Sequence, residues 1–445
     1  MLLQTVNMFN MFCNLEGIVI MDAVKVYEEY FGKKYDVLAG LINYYKGQGN
    51  TIALWGAGKK GTGFLNVADP ENKLIGYIFD KDISKVGQIM PTGHVIADYT
   101  ETNADVVLVA NSNFELEVIH LVHKVNSVAK IINIDNIVLG NLNINDVTRR
   151  QEYSIRKVRD CKICAVVILY NPEPEVKENI KSYIDDIDLL YIYDNSPGGS
   201  TGFEDFKGHG KVKYIKKEEN AGLPCAFNEV AGLAVKENFD WMVTFDQDSF
   251  ACNGMIQAMR GYAESSMCQQ DVAIIAPVTN DIDDKKETQD IYRTFFYKVI
   301  QSGAMHNLEI MSRIGNYDEK MFIDEVDYEY CARCIINGYK IVKINNAVLM
   351  HNMQDRNVKR QFVNGINILI NKFTPDRYYY CYRNALYCYD KYKTSHSIYA
   401  LDCLNTMKIM EANLEYNNNF EENSKAIKQA VDDYNNGIMG RRRQL

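Results

Sequence analysis

No uninterrupted apolar stretch of membrane-spanning length, no internal repeat, no low-complexity tract and no basic excess occurs in these 445 residues. Each absence removes a class. Without a run of about 20 apolar residues there is no candidate spanning helix. The first twenty residues, MLLQTVNMFNMFCNLEGIVI, lack a basic leading region and carry Gln, Asn and Glu16, so they do not read as a secretory signal or an anchor. With 58 acidic and 49 basic side chains the formal charge is −9, which argues against a general nucleic-acid binder, whose phosphate contacts need a positive face. A disulfide framework is also missing. The 11 cysteines are odd in number and unevenly scattered, as expected in a reducing compartment. The expectation is a cytoplasmic protein, peripheral at most at the inner face of the plasma membrane.

What is present is an ordinary globular composition, 47% hydrophobic and 24% charged, long enough at roughly 150 residues per domain for about three units. Residues 1–50 read as an amino-terminal helical segment, since VKVYEEYFGKKYDVLAGLINYY repeats apolar residues at three- and four-residue spacing. Over residues 51–142 strand and helix patterns alternate through TIALWG, LIGYIFD, ADVVLVAN and AKIINID, which predicts a small parallel α/β module. Residues 143–160 are polar and aperiodic and read as a linker. A second α/β pattern fills 161–390, with strands at KICAVVILYN, LLYIYDNS, KVKYIKK, FDWMVTFDQD and VAIIAPV. Residues 391–445 read as a helical tail ending in Arg441, Arg442 and Arg443.

Two acidic clusters stand out. In FDWMVTFDQDS a buried strand ends in Asp246-Gln247-Asp248, and the period-two alternation of strand side chains sends both carboxylates to one side. Two converging carboxylates repel unless a cation neutralises them, a role that suits Mg²⁺ or Mn²⁺ with open positions for phosphate oxygens. The plainer alternative is a turn capped by Asp and Ser. In MFIDEVDYEYCAR, Asp324, Glu325, Asp327 and Glu329 crowd before a helix, where acids also serve the macrodipole. Here Met321, Phe322, Ile323 and Val326 are interleaved with them, which places some carboxylates partly inward, as a general base requires.

These pieces, taken in order, carry a resemblance. VVILYNP, IYDNS, ENAGLPCAFNEV, FDQDS, SGAMHNLEIMSRIGNYDEKMFIDEVDYEYCAR, VLMHN and PDRYYYCYRNALYCYD resemble the family 2 glycosyltransferases of the GT-A fold, within them the bacterial rhamnosyltransferase-like branch, over residues 162 to about 385. The resemblance implies an α/β GT-A domain that moves a sugar from a nucleoside-diphosphate donor to a polysaccharide or lipid-linked glycan. Asp194 would read the nucleotide base, with Tyr170, Asn171 and Pro172 lining the same pocket. Asn220, Gly222 and Asn228 match the donor segment. Asp246 and Asp248 match the Asp-X-Asp motif, with Asp248 the direct metal ligand and Asp246 shared with ribose. His351 completes the metal and diphosphate site. Asp327 is the expected base, Asp324 its rival and Glu329 a supporting acid. The rivalry arises because Val326 stands where the family often has Glu. Ser302 and Gly303 match an acceptor-side pair, and Arg383 and Asn384 an Arg-Asn pair near diphosphate or acceptor. One base opposite the leaving group implies inversion.

The amino-terminal module carries a second signal. Gly56, Gly58 and Gly61 lie between a predicted strand and helix, and Asp80 ends the next strand 24 residues after Gly56, as in a dinucleotide fingerprint. The module resembles small Rossmann-like modules attached to sugar-modifying enzymes. An NAD-dependent sugar-nucleotide oxidoreductase is therefore the alternative function, and a binding or structural module the stronger reading, as no Tyr-X-X-X-Lys accompanies it. The Cys161/Cys164 and Cys331/Cys334 pairs could suggest zinc, but their predicted strand and helix settings favour buried apolar thiols. The amphipathic, arginine-terminated tail would suit contact with anionic lipid.

Overall fold

A computed structural model describes residues 23–110, 115–140, 160–265, 268, 270–279, 292–294, 298–351, 359–363, 366–370, 373–414 and 419–443. The first twenty-two residues and the expected linker, except Asp160, lie outside them. The amphipathic stretch near the start forms two helices, Ala23–Gly32 and Tyr35–Gly47, where one continuous helix was expected. The break falls just past Gly32, a weak helix former, where Lys34 donates its N–H to Phe31 across a tight turn.

The first sheet holds β1 (Ile52–Trp55), β2 (Tyr77–Phe79), β3 (Val106–Val109) and β4 (Lys130–Asn133), all parallel in the order β2-β1-β3-β4. Strands β1 and β3 are buried along their whole length, as continuous apolar runs in a covered parallel sheet must be. Between β1 and the helix Lys59–Ala68 the chain turns at Gly56, whose φ is +119°. A Cβ on Gly61 would lie 1.9 Å from the Gly56 carbonyl oxygen, so this turn closes only on glycine.

The second sheet begins with β5 (Ile163–Leu169), β6 (Leu189–Asp194), β7 (Val212–Lys216), β8 (Trp241–Asp246) and β9 (Ser249–Ala251). It continues with β10 (Val272–Thr279), β11 (Tyr292–Thr294), β12 (Met305–Asn307) and β13 (Lys340–His351). The order is β11-β13-β10-β12-β8-β5-β6-β7, with β9 added against β13. Along β5, Ile163, Ala165, Val167 and Leu169 enter one core and Cys164, Val166 and Ile168 the other, so each face of the sheet feeds a separate apolar layer.

The chain passes from β5 outward through β6 to β7 and then returns to the other side of β5 as β8. That reversal is a topological switch point, and ligands of open α/β sheets bind outside the strand carboxyl ends at such a point. The carboxyl end of β8 is Asp246. Beyond the sheet, the helices Pro375–Tyr392, Ser397–Leu414 and Phe420–Asn435 pack on one another. Among the described residues no helix is long and apolar enough to cross a membrane.

Candidate active site

At the switch point the loops after β5, β6 and β8 are tied together by side chains. Leu169 and Asp194 are register partners, and Asn171 donates its N–H to Ser196 Oγ at 2.8 Å. Gln247, the middle residue of the Asp-X-Asp, accepts from the Tyr170 N–H at 2.9 Å, while its backbone oxygen accepts from Asn179. Pro172 follows in the same loop. Asp194 is fully buried, and its carboxylate accepts from the N–H groups of Ser196 and Ser200, Ser200 Oγ and Tyr214 OH. Burial alone would raise its pKa, but these bonds, that of Tyr214 foremost, outweigh it and hold the carboxyl below its usual range. Asp194 therefore shapes the 195–200 loop with most of its acceptor capacity.

The Asn220 segment joins this group through Asn195, which accepts from the Ala221 N–H at 3.2 Å. Gly222 has φ +83°, and a Cβ there would meet Phe322 at 2.7 Å, so the segment lies hard against the turn that precedes Asp327. Asn228 points elsewhere. Its amide bonds Tyr317 and Glu319, clamping that turn to the helix Leu223–Lys236.

The acidic pair sits one step along. Pairing of β9 with the end of β13 places His351 opposite Ser249, next to Asp248. The ligand atoms of Asp246, Asp248 and His351 all lie within 4.8 Å of one another. Asp248 is half exposed, and His351 Nδ1 stands 3.5 Å from its carboxylate and 2.7 Å from Ser249 Oγ. Burial, then the charge of Asp248, raises the Asp246 pKa, while His351, Gln301 and Arg377 oppose the shift. Two carboxylates and an imidazole converging in this way form a donor set that fits Mn²⁺ or Mg²⁺.

Ser302 and Gly303 lie beneath this cluster. Ser302 Oγ accepts from the Asp246 N–H at 3.0 Å and contacts Ser249 Oγ at 2.8 Å. Gly303 (φ +75°) fits where a Cβ would press on Pro277 and Leu349. The preceding residue, Gln301, escaped the sequence reading although it adjoins the Ser-Gly pair. Its Nε2 donates to Asp246 Oδ1 at 2.5 Å, and its backbone N–H points at Asp327 Oδ2 from 3.3 Å. One residue thus links Asp246 of the acidic pair to the expected base.

Asp327 opens the helix Val326–Ile336. Burial pushes its pKa up to about 6 against the lowering effect of the Tyr328 and Gln301 N–H groups. Its rival is engaged otherwise: Asp324 Oδ1 pairs with Arg377 at 2.7 Å. Glu325, also unassigned from sequence, is pushed by burial to about 7 and accepts from Tyr399 OH at 3.0 Å. Phe322, Asp324 and Glu325 all have φ near +60°, strain of the kind that concentrates at functional turns.

Besides Asn228, three expected site residues are not brought to this cluster. Glu329 is fully buried among Arg333 (2.6 Å), Lys391 (2.9 Å) and Tyr392 OH (2.6 Å), which occupy its carboxylate. Arg383 and Asn384 are also fully buried, bonded to backbone oxygens under the strained turn. Removing the charge of Glu329 takes the partner carboxylate from Arg333 and leaves Lys391 with Asp318 alone, at 2.9 Å. Glu329→Gln is expected to cost about 3 kcal/mol of stability, read as a lower urea midpoint, with kcat per folded molecule within about twofold of wild type.

In the amino-terminal module Gly56, Gly58, Gly61, Lys59, Lys60, Asp80 and Lys85 line a separate cavity of about 710 Å³. The acidic position of the fingerprint has partners within the turn itself. The Asp80 carboxylate accepts from the Ala57 and Asp82 N–H groups and pairs with Lys85 at 3.0 Å, so it closes the turn and does not stand ready for a ribose. Lys60 is held by Asp135 at 2.5 Å, and burial lowers its pKa.

Two family models match separate stretches of the chain. Residues 164–329 match the glycosyl transferase family 2 model. This region is a family 2 glycosyltransferase domain, and the chain is a glycosyltransferase. Residues 8–132 match the C-methyltransferase C-terminal domain family, so neither geometry nor kinship supports the oxidoreductase alternative. A dTDP-rhamnosyl transferase, RfbF, of Shigella flexneri is 28% identical over 239 residues, covering 50% of this chain and 78% of that protein. An uncharacterised glycosyltransferase of Methanocaldococcus jannaschii is 24% identical over 216 residues, 44% of this chain and 71% of its own. Among solved structures, S. aureus TarS 1–349 in complex with UDP-GlcNAc shares 11% identity at TM-score 0.35, over 62% of this chain and 92% of that one. GalNAc-T7 with UDP, GalNAc and Mn²⁺ shares 12% identity at TM-score 0.35, over 43% of each chain.

Proposed function

We propose that the enzyme transfers a sugar from a nucleoside-diphosphate donor to a glycan or lipid-linked acceptor by a cation-dependent single displacement with inversion. The observation that carries this reading is the link through Gln301 between the Asp246, Asp248 and His351 cluster and the partly buried Asp327. Kinship with the Shigella dTDP-rhamnosyl transferase makes dTDP-rhamnose the first donor to test, with UDP-hexoses next.

Asp246, Asp248 and His351 would hold a divalent cation, which when bound offsets the charge on the departing diphosphate. The Tyr170–Pro172, Asp194 and Asn220–Gly222 loops form the nucleotide side of the site. Asp327 takes the proton of the acceptor hydroxyl as its oxygen bonds to the anomeric carbon. The bond from that carbon to the β-phosphate oxygen breaks, and its electron pair leaves with the nucleoside diphosphate. A hydroxyl is a weak nucleophile near neutral pH, so a base at this position is needed. The amino-terminal module enters as a binding or structural unit without a step of its own.

The reading is tested by nucleoside-diphosphate release from dTDP-, UDP- and GDP-sugars with an acceptor panel and Mn²⁺ or Mg²⁺. Release from one donor class that stops on chelation is the expected result. Full release in EDTA contradicts the cation assignment.

A further inference from the structure

The turn 320–325 has three non-glycine residues at positive φ directly before Asp327, and a conformation of that cost persists only where its surroundings impose it. Much of what imposes it comes from Arg383, Asn384 and the last described residues of the chain. Asn384 Nδ2 donates to the backbone oxygens of Met321 (3.0 Å), Ile323 (2.7 Å) and Asp324 (3.0 Å). Arg383 sends Nη2 toward the oxygens of Lys320 and Met321, both at 3.4 Å, and Nη1 to the Gly440 oxygen at 2.8 Å. Gly440 returns its own N–H to the Lys320 oxygen at 2.7 Å.

The tail is fixed in its turn by side chains. The Arg442 N–H donates to Tyr380 OH at 2.7 Å, and its guanidinium pairs with Asp376 at 2.6 Å and bonds Gln429. The Tyr380 ring stacks on Phe322 at 5.3 Å and also faces Arg383. Arg383 is fully buried, and its hydrogen-bond partners among the described residues are neutral oxygens. A buried cation without a carboxylate depends on every such oxygen, so the strap and the turn are drawn to the same guanidinium.

We propose that residues 437–443 form a strap that, through Arg383 and Tyr380, positions the strained turn carrying Asp327. Arg383, Asn384 and Arg442 are then positioning residues, and Arg442 is drawn onto the protein instead of facing a membrane. The inference rests on Asp327 being the base.

The test uses the full chain with Arg442→Ala, Arg442→Lys and Tyr380→Phe, read by hydrogen exchange and by turnover. In Arg442→Ala, amides of 319–326 are expected to exchange about tenfold faster, with the strands of the second sheet unchanged. Turnover falls about tenfold in kcat, with donor KM and the Kd for UDP or dTDP with Mn²⁺ within about threefold of wild type. Arg442→Lys recovers part of both effects, and Tyr380→Phe shows a smaller loss of the same pattern. The proposal is overturned if exchange in 319–326 is unchanged, if it rises evenly across the protein, or if the turn loosens with kcat intact. An Asp327→Asn variant that keeps its turnover removes the base reading instead, whatever the exchange shows.

Discussion

Asp327→Asn is expected to keep the fold and the donor affinity and to lose about 10³-fold in kcat, the scale at which a positioned base contributes to proton transfer. The substitution preserves shape and removes the one function proposed for the group. Two N–H donors, of Tyr328 and Gln301, hold the carboxylate, and an amide oxygen accepts from one of them as well. Asp324→Asn makes the decisive comparison, because its carboxylate is committed to Arg377. Its loss is expected to stay within about tenfold, as for other changes that disturb a base indirectly. The reverse pattern would assign the base to Asp324.

The same carboxylate sets the pH dependence. Asp327 must be ionised to accept a proton, so the rising limb of kcat/KM is expected near pH 6, where burial places its pKa in the free protein. Asp327→Asn should abolish that limb in whatever activity remains. The stability term runs the other way. A carboxyl with a raised folded pKa binds more protons folded than unfolded, so its contribution declines as pH climbs from its unfolded value to about 6.

The second large effect concerns the cation. Asp248→Asn is expected to lower kcat by about 10²-fold or more and to weaken Mn²⁺-dependent binding of UDP or dTDP, since charge stabilisation at a leaving group is commonly worth that much. Asp248 is half exposed and makes few internal bonds, so its loss should leave the melting temperature nearly unchanged. Asp246→Asn has a different profile, because Gln301 Nε2 bonds the same carboxylate and transmits the change toward Asp327. Binding of UDP or dTDP that is indifferent to EDTA in wild type would remove the cation from the account.

The strands around this site were legible because their cores are continuous. ICAVVIL and WMVTFD are apolar runs bounded by polar turns, and both became buried parallel strands. Asp246 and Asp248 were legible for the same reason, as acids at a strand's carboxyl end. Glu329 and Arg383 were not, since a charge near a site and a charge buried behind it look alike in one dimension. What separates them is a partner 62 residues away for Glu329, Lys391, and a tail carbonyl 57 residues away for Arg383. Gln301 was missed because an amide carries no charge to attract notice, and its role follows from reaching two carboxylates at once. Asp80 is the opposite case: its spacing matched a ribose ligand, and a role for its oxygens within the turn it faces was not visible in the sequence.

The account as a whole turns on a single displacement at the anomeric carbon, with Asp327 on the face opposite the leaving diphosphate. The anomeric configuration of the isolated product, read from the one-bond carbon–proton coupling in its NMR spectrum, tests this directly. Inversion relative to the nucleoside-diphosphate donor is the predicted result. A product that retains the donor's configuration would contradict it and require a second nucleophile on the other face.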